Sequence, residues 1–184
     1  MHALTTFRFA LFTLTALAYL AAPPCLLEAA HEEAAAGPAT RADNVRMRNP
    51  RHALSVRYAL SRATRRLATP KCQRIFQEFR DGAGRPLQER LDAEAQTGEA
   101  NLASLLLYDG WAQQRCRTKR TLALAVPGSR VILVCTPQFV DLAERNPRIA
   151  AAILIHEQLH ALGLGENPPT SAEITERVMT QCAP

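Results

Sequence analysis

Apolar residues recur with the period of an α-helix in five stretches of the chain. KCQRIFQEFRD (71–81) follows a Thr-Pro pair of the kind that starts helices, and its apolar residues have the i, i+3, i+4, i+7 spacing of one buried face. RIAAAILIHEQLHALG (148–163) is apolar around much of its circumference, so we expect a central and largely buried helix. Three further helices are predicted at PLQERLDAEA (86–95), QFVDLAER (138–145) and ITERVMTQC (174–182).

Short apolar runs replace the helical pattern in the middle of the chain. LASLLLYDG (102–110) ends in an Asp-Gly turn, and the polar QTGEAN (96–101) before it predicts another turn. TLALAV (121–126) and VILVC (131–135) are joined by PGSR, which predicts a hairpin. Together the patterns indicate an α+β fold, in which the central helix packs on a short mixed sheet containing the hairpin, with a further helix at the C-terminus.

The first third of the chain differs from the rest in composition. Within residues 1–30, Arg8 precedes an apolar run from Phe9 to Ala22 that is too short to span a bilayer comfortably. This predicts a signal peptide with an uncertain cleavage site, and hence a secreted or periplasmic protein; an uncleaved membrane anchor is the alternative. Residues 31–68 begin with low complexity and are rich in Arg, so we expect a flexible leader before a single domain at 69–184.

The basic residues are nearly all Arg, and the net charge is +5. Eight Arg and no Lys lie between Arg41 and Arg66, where they predict a solvated face that could contact an anionic surface. A nucleic-acid binder is another interpretation of this segment. The export signal argues against specific nucleic-acid binding, as does the scarcity of aromatics among these Arg, where Tyr58 stands alone.

Four cysteines remain once the signal peptide is removed, and an even number in an exported chain indicates disulfides. No two of them form a CxxC pair, which disfavours a Cys-based zinc site. Three pairings are possible. The predicted hairpin brings Cys135 close to Cys116, so we expect Cys116 to pair with Cys135 and Cys72 with Cys182.

The stretch IHEQLHALGLGE (155–166) holds the best candidate for chemistry. Residues four apart lie one helical turn above each other, so His156 and His160 can offer two imidazole nitrogens to one Zn²⁺. Glu157 is rotated by about 100 degrees from His156 and can flank the metal without binding it. There it can take a proton from a zinc-activated water and return it to a leaving amine. The alternative is a pair of buried histidines capped by neighbouring carbonyls.

HEQLHALGLGE is similar to the HExxHxxGxxH motif of the metzincin metallopeptidases, and HALGLG resembles the matrixin form of it. The resemblance covers about a dozen residues. It implies a zincin-like domain that hydrolyses peptide bonds in peptide or protein substrates. By the same resemblance, His156 and His160 are the first two zinc ligands, Glu157 is the general base, and the helix breaks at Gly163 so that the chain can turn back to the metal.

The third ligand departs from the family pattern, because Glu166 stands where the family has His or sometimes Asp. Two His and one carboxylate form a known catalytic set, and the glycine turn gives Glu166 the right offset. The alternative is Glu173, which would resemble the gluzincin arrangement with a Glu on a following helix. Thr170-Ser171-Ala172-Glu173 also fits a capping box, which would by itself use that carboxylate, so we favour Glu166.

In zincins an edge of the sheet pairs with extended substrate. The resemblance implies that TLALAV (121–126) or VILVC (131–135) is that edge, and both remain open. The rival to a peptidase is a non-catalytic, zinc-binding envelope or extracellular protein built on the same scaffold.

Overall fold

The computed structural model describes residues 43–118 and 120–182, which form an α+β fold with a four-stranded mixed sheet. The signal-peptide prediction for residues 1–30, and the alternative of a membrane anchor, lie outside the described residues. The helices are α1 (Pro50–Leu67), α2 (Pro70–Gln73), α3 (Ile75–Glu78), α4 (Leu87–Ala93), α5 (Gly98–Ser104), α6 (Thr136–Arg145), α7 (Pro147–Ala161) and α8 (Ser171–Cys182). The strands are β1 (Val45–Arg46), β2 (Leu106–Asp109), β3 (Ala123–Ala125) and β4 (Val131–Val134).

The sheet has the strand order β1-β2-β4-β3. β1, β2 and β4 are parallel, and β3 runs antiparallel to β4 at the edge, with Leu124 opposite Leu133. The predicted hairpin is therefore confirmed. Its turn has Pro127 and a positive-φ Gly128 at the two central positions of a type II turn, closed by the Ser129 N–H donating to the Val126 carbonyl at 2.9 Å.

The predicted helix at 148–163 is confirmed as α7, which lies at the centre of the fold. The Asn146 side chain caps its first turn by accepting from the Ile149 N–H, and Pro147 occupies the first helical position. Leu154, Ile155 and Leu159 are fully buried. α1, α6 and α8 pack around α7, and β3 lies against it. A helix surrounded in this way must be apolar on nearly every face, as the sequence indicated.

The flexible leader predicted for residues 31–68 is wrong for residues 43–68. Val45 lies in the core, and α1 is an 18-residue helix capped by the Asn49 side chain. Its buried stripe is Ala53, Val56, Ala59, Ala63 and Leu67. Three of these five residues are alanines, which carry little hydrophobic signal, and the Arg residues between them obscured the stripe. The domain therefore starts well before residue 69.

Two smaller predictions also differ from the structure. The helix expected at 71–81 is divided at Arg74 into the two short helices α2 and α3. The turn expected at 96–101 is the start of α5, because the Thr97 hydroxyl accepts a hydrogen bond from the Ala100 N–H and caps a helix. α4 and α8 lie where short and C-terminal helices were predicted.

Both predicted disulfides are confirmed. Cys72 pairs with Cys182, which joins α2 to the end of α8, and Cys116 pairs with Cys135 across 5.0 Å between Cα atoms. Disulfides persist in oxidising compartments, so the two bonds fit an extracytoplasmic location. In the part of the chain that the structure describes, no helix is long and apolar enough to cross a membrane.

Candidate metal centre

His156 and His160 lie one turn apart on α7 and point to the same side. Both are buried, and their Nε2 atoms are 3.1 Å apart. The α-helical spacing alone accounts for this, since side chains at i and i+4 share a face. The structure thus places the two histidines as the sequence predicted.

α7 ends in a Schellman motif that turns the chain back towards the histidines. The Gly163 N–H donates to the His160 carbonyl at 2.8 Å, and the Leu164 N–H donates to the Leu159 carbonyl at 3.0 Å. Gly163 has φ +112°, a conformation that favours glycine. The predicted helix break at Gly163 is therefore present, and it sets the position of the residues that follow.

Glu166 reaches the histidines from this turn. Its Oε1 lies 3.4 Å from His160 Nε2, and the three donor atoms of His156, His160 and Glu166 lie within 4.8 Å of one another. Glu173 is engaged elsewhere: its carboxylate accepts from the Thr170 N–H at 2.7 Å, and its own N–H donates to the Thr170 hydroxyl. This is the capping box, and it leaves Glu166 as the carboxylate that joins the cluster.

The remaining ring nitrogen of each histidine has its own partner. His160 Nδ1 lies 2.8 Å from the Leu164 carbonyl, which can only accept, so Nδ1 carries the proton. His156 Nδ1 lies 3.0 Å from the Thr175 hydroxyl. Partners of this kind hold the rings of metal-binding histidines and leave Nε2 free to bind. Burial, and secondarily the neighbouring His160, lower the pKa of His156 to about 4, so its ring is neutral at pH 7.

The donor set fits zinc. Bonds of about 2.0–2.2 Å in a tetrahedron separate ligand atoms by about 3.3–3.6 Å. The separations of 3.1 and 3.4 Å around His160 Nε2 are close to that range, and the three donor atoms lie within 4.8 Å of one another, so Glu166 and His156 would have to come closer together. Two imidazoles and one carboxylate leave a fourth position open, as catalytic zinc sites do. His156, His160 and Glu166 could therefore hold Zn²⁺ with small movements of their side chains.

Glu157 lies beside the cluster and is buried. Burial raises the pKa of its carboxyl to about 8, the Ala125 N–H opposes this by hydrogen bonding to it, and the nearby Glu166 adds to the increase. Glu157 thus lies near the edge strand β3. The Gly128 N–H of the hairpin turn donates to the His160 carbonyl at 3.0 Å. This bond fixes the turn of the hairpin to α7 three residues after Glu157.

A cleft of about 640 Å³ opens over these residues. β3 forms one wall, and His156, Glu157 and His160 lie at its base together with Glu166. Of the two strands that the sequence left open as an edge of the sheet, β3, in TLALAV, lies at an edge and has one neighbour. The other, β4, in VILVC, lies between β2 and β3.

Two residues that support the site were missed by the sequence analysis. Thr175 on α8 orients His156, and no local pattern marks it because the contact depends on how α8 packs against α7. Gln158 is fully buried, and its Nε2 donates to the Gly98 carbonyl at 2.6 Å and to Asn101 Oδ1 at 3.1 Å, so α7 is held to α5. A glutamine inside an apolar helix was the available signal for such a partner.

The described residues thus define an α+β domain in which two buried histidines of the central helix and an exposed carboxylate on the following turn form a cluster at an open cleft. Comparison with known proteins found no match to a protein-family model, a curated protein or a solved structure.

Proposed function

We propose that this protein is an exported, zincin-like zinc metallopeptidase. The observation that carries the proposal is the convergence of His156, His160 and Glu166 at the base of a cleft, with the buried Glu157 beside them and outside the ligand set. An apolar helix has no packing reason to bury two histidines and a glutamate on adjacent turns, because each polar group costs free energy unless it is paired.

Zinc held by His156, His160 and Glu166 would polarise the scissile carbonyl and acidify a water molecule. Glu157, in its ionised form, would act as the general base that takes the proton from this water and delivers it to the departing amine. Its side chain is buried at the cleft, so it has little freedom to turn away from the attacking water. The base is therefore close to its place before substrate binds.

The edge strand β3 gives an extended substrate a place to bind. The Leu122 carbonyl accepts from the Cys135 N–H, and backbone groups alternate along a strand, so Ala123 and Ala125 present their N–H and C=O groups to the open side, away from β4. A peptide that pairs with this edge adds a strand to the sheet and passes over the histidines. This arrangement favours an unfolded or extended segment of a polypeptide as the substrate.

Replacement of Glu157 by Gln tests the proposal, since it removes the base and keeps the size of the side chain. We expect purified wild-type protein to contain about one zinc per chain and to cleave an unfolded protein such as reduced, alkylated casein. Glu157→Gln should keep the zinc and the fold and lower kcat by about 10²- to 10⁴-fold. The matched control is Glu144→Gln, the same change at an exposed position on α6.

Zinc content by mass spectrometry and cleavage by gel and fluorescence assays are the measurements. A wild-type protein without zinc, or a Glu157→Gln variant as active as wild type, would contradict the peptidase. A zinc-loaded wild type that binds peptides and cleaves none would instead support the non-catalytic binding protein.

A further inference from the structure

The cleft has an uneven distribution of charge. Arg115 and Arg120 line it together with Thr118 and Thr121, beyond the N-terminal end of β3. Glu157 and Glu166, the carboxylates among the described lining residues, lie with the histidines. The basic residues thus come from the segment before β3, and the acidic groups from α7 and the turn after it.

The two arginines have no carboxylate partner among the residues described here. Other Arg side chains of the domain form ion pairs with carboxylates, as Arg85 does with Asp81, Arg90 with Glu94 and Arg177 with Glu78. Arg115 and Arg120 form none of the recorded ion pairs, and both are exposed. Their guanidinium groups are available to an anionic ligand that enters the cleft.

The segment that carries Arg115 is held in place. Arg115 lies in the 3-10 turn Gln114–Arg117, which the Cys116–Cys135 disulfide fastens to the end of β4. The Gln138 side chain on α6 donates to the Cys116 carbonyl at 2.6 Å and to the Thr118 carbonyl at 3.3 Å. The backbone that carries Arg115 is therefore fixed before a ligand arrives, which reduces the entropy lost on binding.

Glu157 and Glu166 form no ion pair with either arginine. Arg115 and Arg120 therefore remain without a carboxylate partner among the described residues of the cleft. A carboxylate brought by the substrate would provide one, and a guanidinium group can bind it through two parallel hydrogen bonds.

We propose that the cleft selects peptides carrying Asp or Glu several residues from the scissile bond, through Arg115 and Arg120. Both arginines precede β3 in the chain, whereas the candidate metal centre lies on α7 and the turn that follows it, and all of these residues line the same cleft. This inference rests on the proposed peptidase function, because the scissile bond is placed by the candidate metal centre.

A series of fluorogenic peptides tests the preference. One Glu is moved along an uncharged peptide of ten residues, and each peptide has partners with Gln and with Lys at the same position. We expect kcat/KM to be about 3- to 10-fold higher for Glu than for Gln at one position several residues from the cleaved bond, as one or two exposed ion pairs provide. The preference should fall when salt is raised.

Charge reversal assigns the effect to the cleft. Arg115→Glu with Arg120→Glu should reverse the preference, so that the Lys peptide is cleaved faster than the Glu peptide. The matched control is Arg117→Glu, which changes the same charge on the same exposed turn at a residue that does not line the cleft. Equal cleavage of the Glu, Gln and Lys peptides by wild type overturns the inference and leaves the peptidase proposal in place. The same holds if Arg117→Glu changes the preference for the Glu peptide as much as Arg115→Glu alone does.

Peptide binding separates this inference from the failure of the peptidase proposal. Fluorescence anisotropy with zinc-loaded Glu157→Gln protein measures affinity without turnover. If wild type cleaves nothing but the Glu peptide binds more tightly than the Gln peptide, and this difference is lost in the double Arg variant, the peptidase fails and acidic-peptide recognition stands. If the Glu and Gln peptides bind equally, the recognition proposal is overturned whatever the activity.

Discussion

The two histidines and Glu166 are held in contrasting ways. His156 and His160 are buried on a rigid helix, and the second nitrogen of each ring is hydrogen bonded. The Glu166 side chain is 43% exposed, lies on a turn, and has His160 as its recorded partner. The helix therefore supplies a prearranged pair of ligands, whereas the turn supplies a carboxylate that can adjust. This difference predicts that the site tolerates changes at Glu166 better than changes at the histidines.

The largest expected effect follows from removing a buried ligand. His160→Ala should weaken zinc binding by about 10²- to 10³-fold, since zinc sites with four ligands bind with about 10–16 kcal/mol in total. Glu166→Ala should cost less, about tenfold, because water can replace an exposed carboxylate. Competition with a chromophoric chelator measures both affinities, and circular dichroism checks the fold.

Glu173→Ala is the control for the choice of third ligand. It should leave zinc affinity unchanged and lower the free energy of unfolding by about 1 kcal/mol through loss of the capping box. If Glu173→Ala weakens zinc binding as much as Glu166→Ala does, Glu166 is not the third ligand.

The parts of the structure that local chemistry dictates were predictable from the sequence. The Asn146-Pro147 start, the apolar circumference of α7 and the glycine at its end define that helix, and the i, i+4 spacing brings His156 and His160 together. The Cys116–Cys135 pairing followed from the hairpin, and Cys72–Cys182 was then the pair that remained, although its cysteines are 110 residues apart. Apart from the disulfides, the residues concerned interact within a few helical turns.

Features that depend on packing between distant segments were not predictable. The stripe of α1 is buried because α5, α6 and α7 cover it, although its alanines give only a weak hydrophobic pattern. Thr175 meets His156 because α8 folds back across α7. The position of β3 at the edge of the sheet depends on β2 pairing with β4, which no turn or cap in the sequence specifies.

A second test of the contrast between the helix and the turn removes the hydrogen-bond partner of a histidine and leaves the histidine itself in place. Thr175→Val keeps the shape of the side chain and removes the hydroxyl partner of His156 Nδ1. Loss of such a partner lowers zinc affinity by about 10- to 100-fold. Thr180→Val, on the exposed side of the same helix, is the matched control and should change nothing. Equal zinc affinities for Thr175→Val and wild type would show that burial alone fixes the ring.

The smallest expected effect on zinc comes from the turn, where two glycines differ in the space around them. A Cβ on Gly163 would require an L residue at φ +112° and would lie 3.2 Å from the Asp81 Cβ, whereas a Cβ on Gly165 would meet nothing within 4 Å. Gly163→Ala should therefore lower the free energy of unfolding by about 1–2 kcal/mol and weaken zinc binding only a few-fold, since Glu166 can adjust. Gly165→Ala should leave both close to wild type. A loss of zinc affinity in Gly163→Ala as large as that in His160→Ala would mean that the turn is as rigid a part of the site as the helix.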